Sequence, residues 1–77
     1  MLEGKHYENR LYGMGYTEWL YKNACITLDD GDTTYQIYFI TTSGQRSFWY
    51  EPTFEKALAY IDRWEEFIDK SYLNKRK

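Results

Sequence analysis

Nucleophilic catalysis would need Cys25 or a serine beside a general base, and His6 is the single histidine in the sequence. His6 lies in a glycine-punctuated segment that we expect to be mobile. Cys25 lies in a β-like run, where a cysteine usually behaves as a small buried apolar residue. One cysteine and one histidine also cannot supply an internal disulfide or a tetrahedral zinc site. We therefore expect no enzyme activity, no metal site and no cofactor.

Four acidic side chains at helical neighbour spacing could form paired carboxylates for acid–base catalysis. They are Asp62, Glu65, Glu66 and Asp69. Acidic residues on a helix surface are usually solvated, and Glu66 can pair with Lys70 one turn later. We therefore interpret these residues either as a solvated helix face or as an acidic surface for a basic partner.

Two short motifs share part of the pattern of a ligand-binding loop. Residues 29–32 place three aspartates around Gly31, but they lack the remaining oxygen ligands and the closing glutamate of a calcium loop. Residues 13–15, Gly-Met-Gly, lack the third glycine and the preceding strand of a phosphate-binding loop. Both motifs are therefore predicted to be turns, the first of them a hairpin turn.

The element that must position the acidic residues is a long amphipathic helix, predicted over residues 53–73. Pro52 biases the preceding chain toward an extended conformation. Thr53 can cap the first free amide groups, and Glu55 lies in the first turn, where the helix dipole favours an acid. The apolar face consists of Phe54, Ala57, Leu58, Tyr60, Ile61, Trp64, Phe67, Ile68 and Tyr72.

Three strands are predicted between residues 16 and 51, where β-branched and aromatic residues alternate between turn signals. A helical turn near residues 17–22 competes with the first strand. The strands cover residues 16–28, 33–42 and 45–50. The predicted fold class is therefore α+β, a single domain in which a three-stranded antiparallel β-meander packs against one long C-terminal helix. Residues 1–15 are predicted to form an N-terminal arm or a short helix.

The predicted binding surface is the sheet face that the helix leaves open. In the central strand, Tyr35, Ile37 and Phe39 are expected to meet the helix, since alternate side chains share a face. The opposite face would then expose aromatic and apolar residues, which often mark interaction sites. With the acidic helix flank included, the predicted partner-binding residues are Tyr38, Ile40, Arg46, Trp49, Asp62, Glu65, Glu66 and Asp69.

Composition limits the function further. The net charge is -2, so the protein as a whole does not attract polyanions, and nucleic acid is the less favoured partner. No apolar run approaches the roughly 18 residues needed to span a membrane. A lone cysteine suits a reducing compartment. We expect a cytoplasmic protein that does not bind membranes and that depends on its 21% aromatic content for a core or an interface.

Three segments, Tyr-Gln-Ile-Tyr (35–38), Ser-Gly-Gln-Arg (43–46) and Glu-Pro-Thr-Phe-Glu-Lys-Ala (51–57), resemble two sets of small proteins. One is the arm-binding domain of tyrosine integrases, in which three strands and a helix place a sheet in the DNA major groove. That domain would carry lysines and arginines on its strands, where this chain has only Arg46 and Lys22. The other set, short orphan proteins from phages and conjugative elements, is the closer likeness.

The second resemblance implies a phage-encoded or mobile-element-encoded protein, similar to anti-CRISPR proteins, that acts in the host cytoplasm. Such a protein would dock on a larger host protein, for example a nucleic-acid-handling enzyme such as a defence nuclease, and inhibit it. Two alternatives follow from the residues. One is a nucleic-acid-binding module that uses Tyr38, Trp49 and Arg46. The other is a homodimeric scaffold in which the exposed sheet face or the helix aromatics self-associate.

Overall fold

A computed structural model describes residues 2–9, 11 and 13–73. The described chain forms a five-stranded antiparallel sheet whose strands lie side by side in sequence order. The strands are β1 (Lys5–Asn9), β2 (Met14–Tyr21), β3 (Ala24–Asp29), β4 (Tyr35–Ile40) and β5 (Arg46–Glu51). One helix, α1 (Phe54–Trp64), packs on one face of the sheet and continues into a 3-10 turn (Glu65–Phe67). The fold is therefore α+β, but the predicted three-stranded meander with one long helix is wrong.

The additional strands come from the first third of the chain. Residues 16–28, predicted as one strand, contain most of β2 and β3, which are joined by a two-residue turn at Lys22 and Asn23. Both turn residues have positive φ angles, 48° and 63°. That conformation matches the right-handed twist of the flanking strands in a tight hairpin. The reversal was missed because neither residue is a glycine.

The predicted N-terminal arm contains β1, which pairs with β2 along its whole length. Gly15 is predicted from the sequence to lie in a turn, but it lies inside β2 and is buried. A Cβ atom there would come within 2.6 Å of both the His6 ring and the Tyr7 carbonyl oxygen. Gly15 therefore provides space for β1 to approach rather than ending the strand.

The helix begins as predicted and ends early. The Thr53 hydroxyl accepts a hydrogen bond from the Lys56 amide at 3.2 Å, which satisfies one of the free amide groups of the first turn. The helix ends at Trp64, and Ile68 is extended and forms a β-bridge with Thr41. Hydrogen bonds from Thr42 to the Phe67 carbonyl and from Asp69 to the Ile40 carbonyl, each 2.7 Å long, hold this segment against β4.

The core lies between α1 and the middle of the sheet. Ile37 and Phe39 of β4 are fully buried in one cluster with Ile61 and Ile68. At the edge of this cluster, the ring of Phe54 lies 5.7 Å from that of Tyr35. The prediction that alternate residues of this strand meet the apolar face of the helical segment is confirmed. None of the helical segments in the described ranges has the length and apolar character that crossing a membrane requires.

Candidate functional site

The sheet face opposite α1 carries an exposed cluster of aromatic side chains. Tyr38 pairs with Phe48, and the neighbouring Gln36 pairs with Tyr50. Ring centroids are 5.9 Å apart for Tyr38 and Phe48 and 5.5 Å apart for Phe48 and Tyr50. The exposed fractions are 52% for Phe48 and 54% for Tyr50. We call Tyr38, Phe48 and Tyr50 the outer aromatic patch, and its exposure makes it a candidate interaction site.

The patch extends across the sheet in both directions. Ile40 and Arg46 pair with each other at one end of it, and they share its face because they lie two residues from Tyr38 and Phe48. On the other side, the register links Tyr38 to Cys25 and Cys25 to Leu20 in one cross-strand row. Leu20 is about half exposed. The predicted binding residues Tyr38, Ile40 and Arg46 are therefore brought together on one surface.

Cys25 is almost completely buried in this row, as predicted for a small core-like residue. Part of its cover comes from beyond the helix, because Tyr72 packs edge-on against Tyr38 with 5.5 Å between the ring centroids. Cys25, Tyr38, Phe48 and Tyr72 line one shallow groove on the outer face. The segment after α1 thus crosses the end of the sheet and closes one side of the patch.

Trp49 lies on the opposite side of the sheet from Tyr38. It pairs with the buried Ile37, and its ring stacks on Tyr60 of α1 at 5.7 Å and an interplanar angle of 4°. The row continues along the helical segment through Trp64 and Phe67. The prediction that Tyr38 and Trp49 lie on one surface is therefore wrong. Tyr38 pairs with Phe48, and Trp49 is the next residue along β5, so its side chain points to the opposite face of the sheet.

Phe48 and Tyr50, the two most exposed residues of the patch, are not among the binding residues predicted from the sequence. The sequence does indicate them, because they lie two and four residues after Arg46, a predicted binding residue, and alternate residues of a strand share a face. The sequence does not give the register of β5 on β4, and that register decides which of the two alternating sets of side chains faces the helix.

The acidic residues of the helical region do not form one continuous surface. Lys22 donates hydrogen bonds to Asp62 at 2.7 Å and to Glu65 at 3.2 Å. The carboxylate of Asp69 lies beyond α1 and accepts hydrogen bonds from Ser71. Glu66 is exposed in the 3-10 turn. The predicted acidic helix flank is therefore divided, because two of its members bind Lys22 and so connect the β2–β3 turn to the helical segment.

Charge pairing shifts two ionisation equilibria in this contact. The pKa of Asp62 lies below its ordinary value of 3.8, first because Lys22 donates a hydrogen bond to it and then because Tyr21 does. The pKa of Lys22 is raised, because Asp62 and then Glu65 accept hydrogen bonds from its ammonium group. Both groups are solvent-exposed, so screening by salt is expected to weaken the contact.

We expect the substitution Lys22→Met to reduce the acid sensitivity of the fold. A carboxylate with a depressed folded-state pKa stabilises the fold above its unfolded pKa, and this contribution is lost as the pH falls through the folded value. Urea midpoints measured from about pH 2 to 6 should therefore fall less steeply in the variant than in the wild type. Lys56→Met is the matched control, and equal slopes for all three proteins would contradict the contact.

His6 and Asp30 form a hydrogen-bonded pair, and histidine–carboxylate pairs also occur in catalytic sites. The imidazole Nε2 lies 2.9 and 3.0 Å from the two carboxylate oxygens. His6 is held in β1 rather than in a mobile segment, so that expectation is wrong. In the described ranges no three histidine, cysteine or acidic residues come close enough together to hold a metal ion. The pair is best explained as a link between β1 and the end of β3.

No protein-family model matches the chain, and neither the curated proteins nor the solved structures contain a match. Fold and surface define the class of the protein as a small α+β domain with exposed aromatic residues on both sides of one edge strand. Its function therefore has to be inferred from that surface.

Proposed function

We propose that this chain is a small protein-binding factor that docks through the outer aromatic patch. The observation that carries this proposal is the contiguous exposure of Phe48 and Tyr50 beside Tyr38, with Arg46 at one end. Aromatic residues and arginine are enriched at protein interfaces and contribute most of the binding energy there. Aromatic side chains also lose little conformational freedom on binding, because they have few rotatable bonds.

The chemistry of the patch favours a protein partner over nucleic acid. A protein surface that binds nucleic acid needs several positively charged side chains along the path of the phosphate backbone. On the outer face Arg46 stands beside neutral aromatic rings, and Lys22 is engaged with two carboxylates. The net charge of -2 opposes polyanion binding further. The matching partner surface has an apolar centre for the rings and an acidic group opposite Arg46.

Inhibition of a larger host protein, such as a defence nuclease, by a phage-encoded or mobile-element-encoded factor extends this proposal. It depends on the resemblance to short mobile-element proteins and on no residue of the patch. It stays a prediction, and an activity assay of the captured partner with and without this protein is its test.

A paired-bait capture experiment tests the docking proposal. Wild-type protein and a Leu20→Ala, Tyr38→Ala double variant are used as baits in lysate of the native host, and captured proteins are quantified by mass spectrometry. Loss of Tyr38 from the patch and of Leu20, which flanks it in the same cross-strand row, is expected to weaken the affinity for the purified partner about tenfold or more. Phe67→Ala, which removes a half-exposed ring on the helix side, is the matched control and should bind like the wild type.

Two results would contradict the proposal. One is a captured partner that binds the double variant as tightly as the wild type while circular dichroism shows both folded. The other is binding of a single-stranded oligonucleotide that weakens steeply as salt rises, which would favour the nucleic-acid-binding module.

A further inference from the structure

β5 is an edge strand, and no described residue pairs with its outer side. The amide of Thr41 donates to the Gln45 carbonyl at 2.8 Å, so the backbone groups of Gln45 face β4. Backbone groups alternate in direction along a strand. The N–H and C=O groups of Arg46, Phe48 and Tyr50 therefore point away from the sheet, where another strand can pair with them.

The two edges of the sheet differ in how they are protected. β1, at the other edge, carries charged and polar side chains, Lys5, His6, Glu8 and Asn9, around a single tyrosine. Such residues discourage pairing with a second chain. β5 instead presents Phe48, Trp49 and Tyr50 in succession, each about half exposed. An apolar edge of this kind is a template for strand addition.

We infer that β5 pairs with β5 of a second copy, antiparallel about a two-fold axis that passes through the sheet at Phe48. A two-fold axis perpendicular to the sheet keeps equivalent faces on the same side, so the interface uses the same strand from both copies. The sheet becomes continuous across both copies, and their outer aromatic patches join into one surface.

The backbone selects this register. Centring the axis on Phe48 places it opposite its own copy and places Arg46 opposite the partner copy's Tyr50, so every outward amide and carbonyl has a partner. Centring the axis on Trp49 instead places Arg46 opposite Pro52, which has no N–H to donate. The Phe48 register therefore pairs every outward N–H and C=O group of Arg46, Phe48 and Tyr50, whereas the Trp49 register leaves the Arg46 carbonyl without a donor.

The side chains are complementary in the same register. On the outer face, two Phe48 rings meet at the axis, and each Arg46 lies opposite a Tyr50, where a cation–π contact can form. On the helix side, the small Ser47 faces the large Trp49, and Gln45 faces Glu51 with an amide that can donate to the carboxylate. No like charges oppose each other across the strand pair. This self-complementarity is what identifies a second copy as the occupant of the edge.

A charge-swap experiment tests the inference. Sedimentation velocity is expected to show a wild-type dimer, while Phe48→Lys and Phe48→Glu are each monomeric because position 48 meets its own copy at the axis. An equimolar mixture of the two variants should dimerise at least tenfold more tightly than either alone. Phe67→Lys, a matched change on the helix side, should leave the wild-type dimer intact.

Cross-linking tests the register in a Cys25→Ala background. Opposed residues have Cα atoms about 5.5 Å apart, within disulfide range, so Phe48→Cys should form a covalent dimer on mild oxidation. Tyr50→Cys should not, because it lies opposite Arg46. A wild-type protein that stays monomeric, a dimer that tolerates Phe48→Lys, or cross-linking through position 50 alone would overturn the inference.

The inference does not rest on the docking proposal, and the two can fail separately. The Leu20→Ala, Tyr38→Ala variant leaves the backbone edge of β5 unchanged and should still dimerise. Capture of a partner by a monomeric wild-type protein overturns the dimer and leaves docking in place. A protein that is a dimer, but whose captured partners bind the double variant as tightly as the wild type, overturns the docking proposal and leaves the dimer in place.

Discussion

Replacing Phe39 with alanine is expected to lower the free energy of unfolding by about 3–5 kcal/mol. Phe39 is 1% exposed, packs in the core cluster with Ile37 and Ile61, and has its ring 6.3 Å from that of Tyr60, so its removal leaves a cavity between the sheet and the helix. A single core in a chain of this size contributes only about 3–5 kcal/mol net. Urea denaturation followed by tryptophan fluorescence at 25 °C should find most of the variant already unfolded without denaturant.

The same change at Phe67 provides the control. Phe67 is about half exposed and contacts the neighbouring Trp64 ring, so Phe67→Ala should change stability by about 0.5–1 kcal/mol. Equal midpoints for the two variants would show that β4 does not face the helix as described. Measuring both variants at one protein concentration keeps the effect of self-association the same on both sides of the comparison.

The part of the fold that the sequence predicted correctly is the contact between β4 and the helix. Tyr35, Ile37 and Phe39 alternate in an uninterrupted β-branched and aromatic run, while Ala57 and Ile61 recur with helical spacing. Two periodic patterns that each have one apolar face favour burial against each other. Hydrophobic periodicity in the two segments was therefore enough to predict this contact without knowledge of the other strands.

The strands that were missed depend on local features that hydrophobic pattern does not encode. The Lys22–Asn23 turn places two non-glycine residues at positive φ, a conformation that costs free energy and is stabilised by the pairing on both sides. Gly15 is typical of a turn, but in β2 it allows the close approach of His6. Both features are consequences of pairing between strands, so the local sequence alone could not indicate them.

The candidate site was predicted in part for a related reason. Alternation in β5 correctly separates Phe48 and Tyr50 from Trp49, but which set faces the helix depends on register. A one-residue shift moves every side chain to the opposite face. The observed pairing of Trp49 with Ile37 decides the matter. The acidic residues illustrate the same limit, because the partner of Asp62 lies 40 residues earlier in the chain at Lys22.

The end of α1 was predicted nine residues too late because Ile68 satisfies two patterns. It lies seven residues after Ile61, so it continues the apolar face of a helix, and it is also a β-branched residue suited to a strand. No glycine or proline marks the change. In the structure its burial is completed by the bridge to Thr41 rather than by another helical turn.

Ile68→Ala is expected to release the segment that covers Cys25 and to lower the free energy of unfolding by about 2 kcal/mol, at the low end for this change because a released segment leaves no rigid cavity. Ile68 is 1% exposed and is the anchor from which Tyr72 reaches Tyr38 on the outer face. Weakening that anchor favours local opening over global unfolding at the groove that Cys25 lines. The rate at which a thiol reagent modifies Cys25 under native conditions should rise by about tenfold or more.

Ile61→Ala distinguishes local opening from a general loss of stability, because it makes the same change at a fully buried position within α1. At denaturant concentrations that give both variants the same unfolding free energy, Cys25 should react faster in Ile68→Ala. Equal rates would mean that the thiol is reached only by global unfolding, and that the segment after the helix adds no separate cover to the outer face. A faster rate confined to Ile68→Ala would mean that the fold controls access to one side of its own aromatic patch.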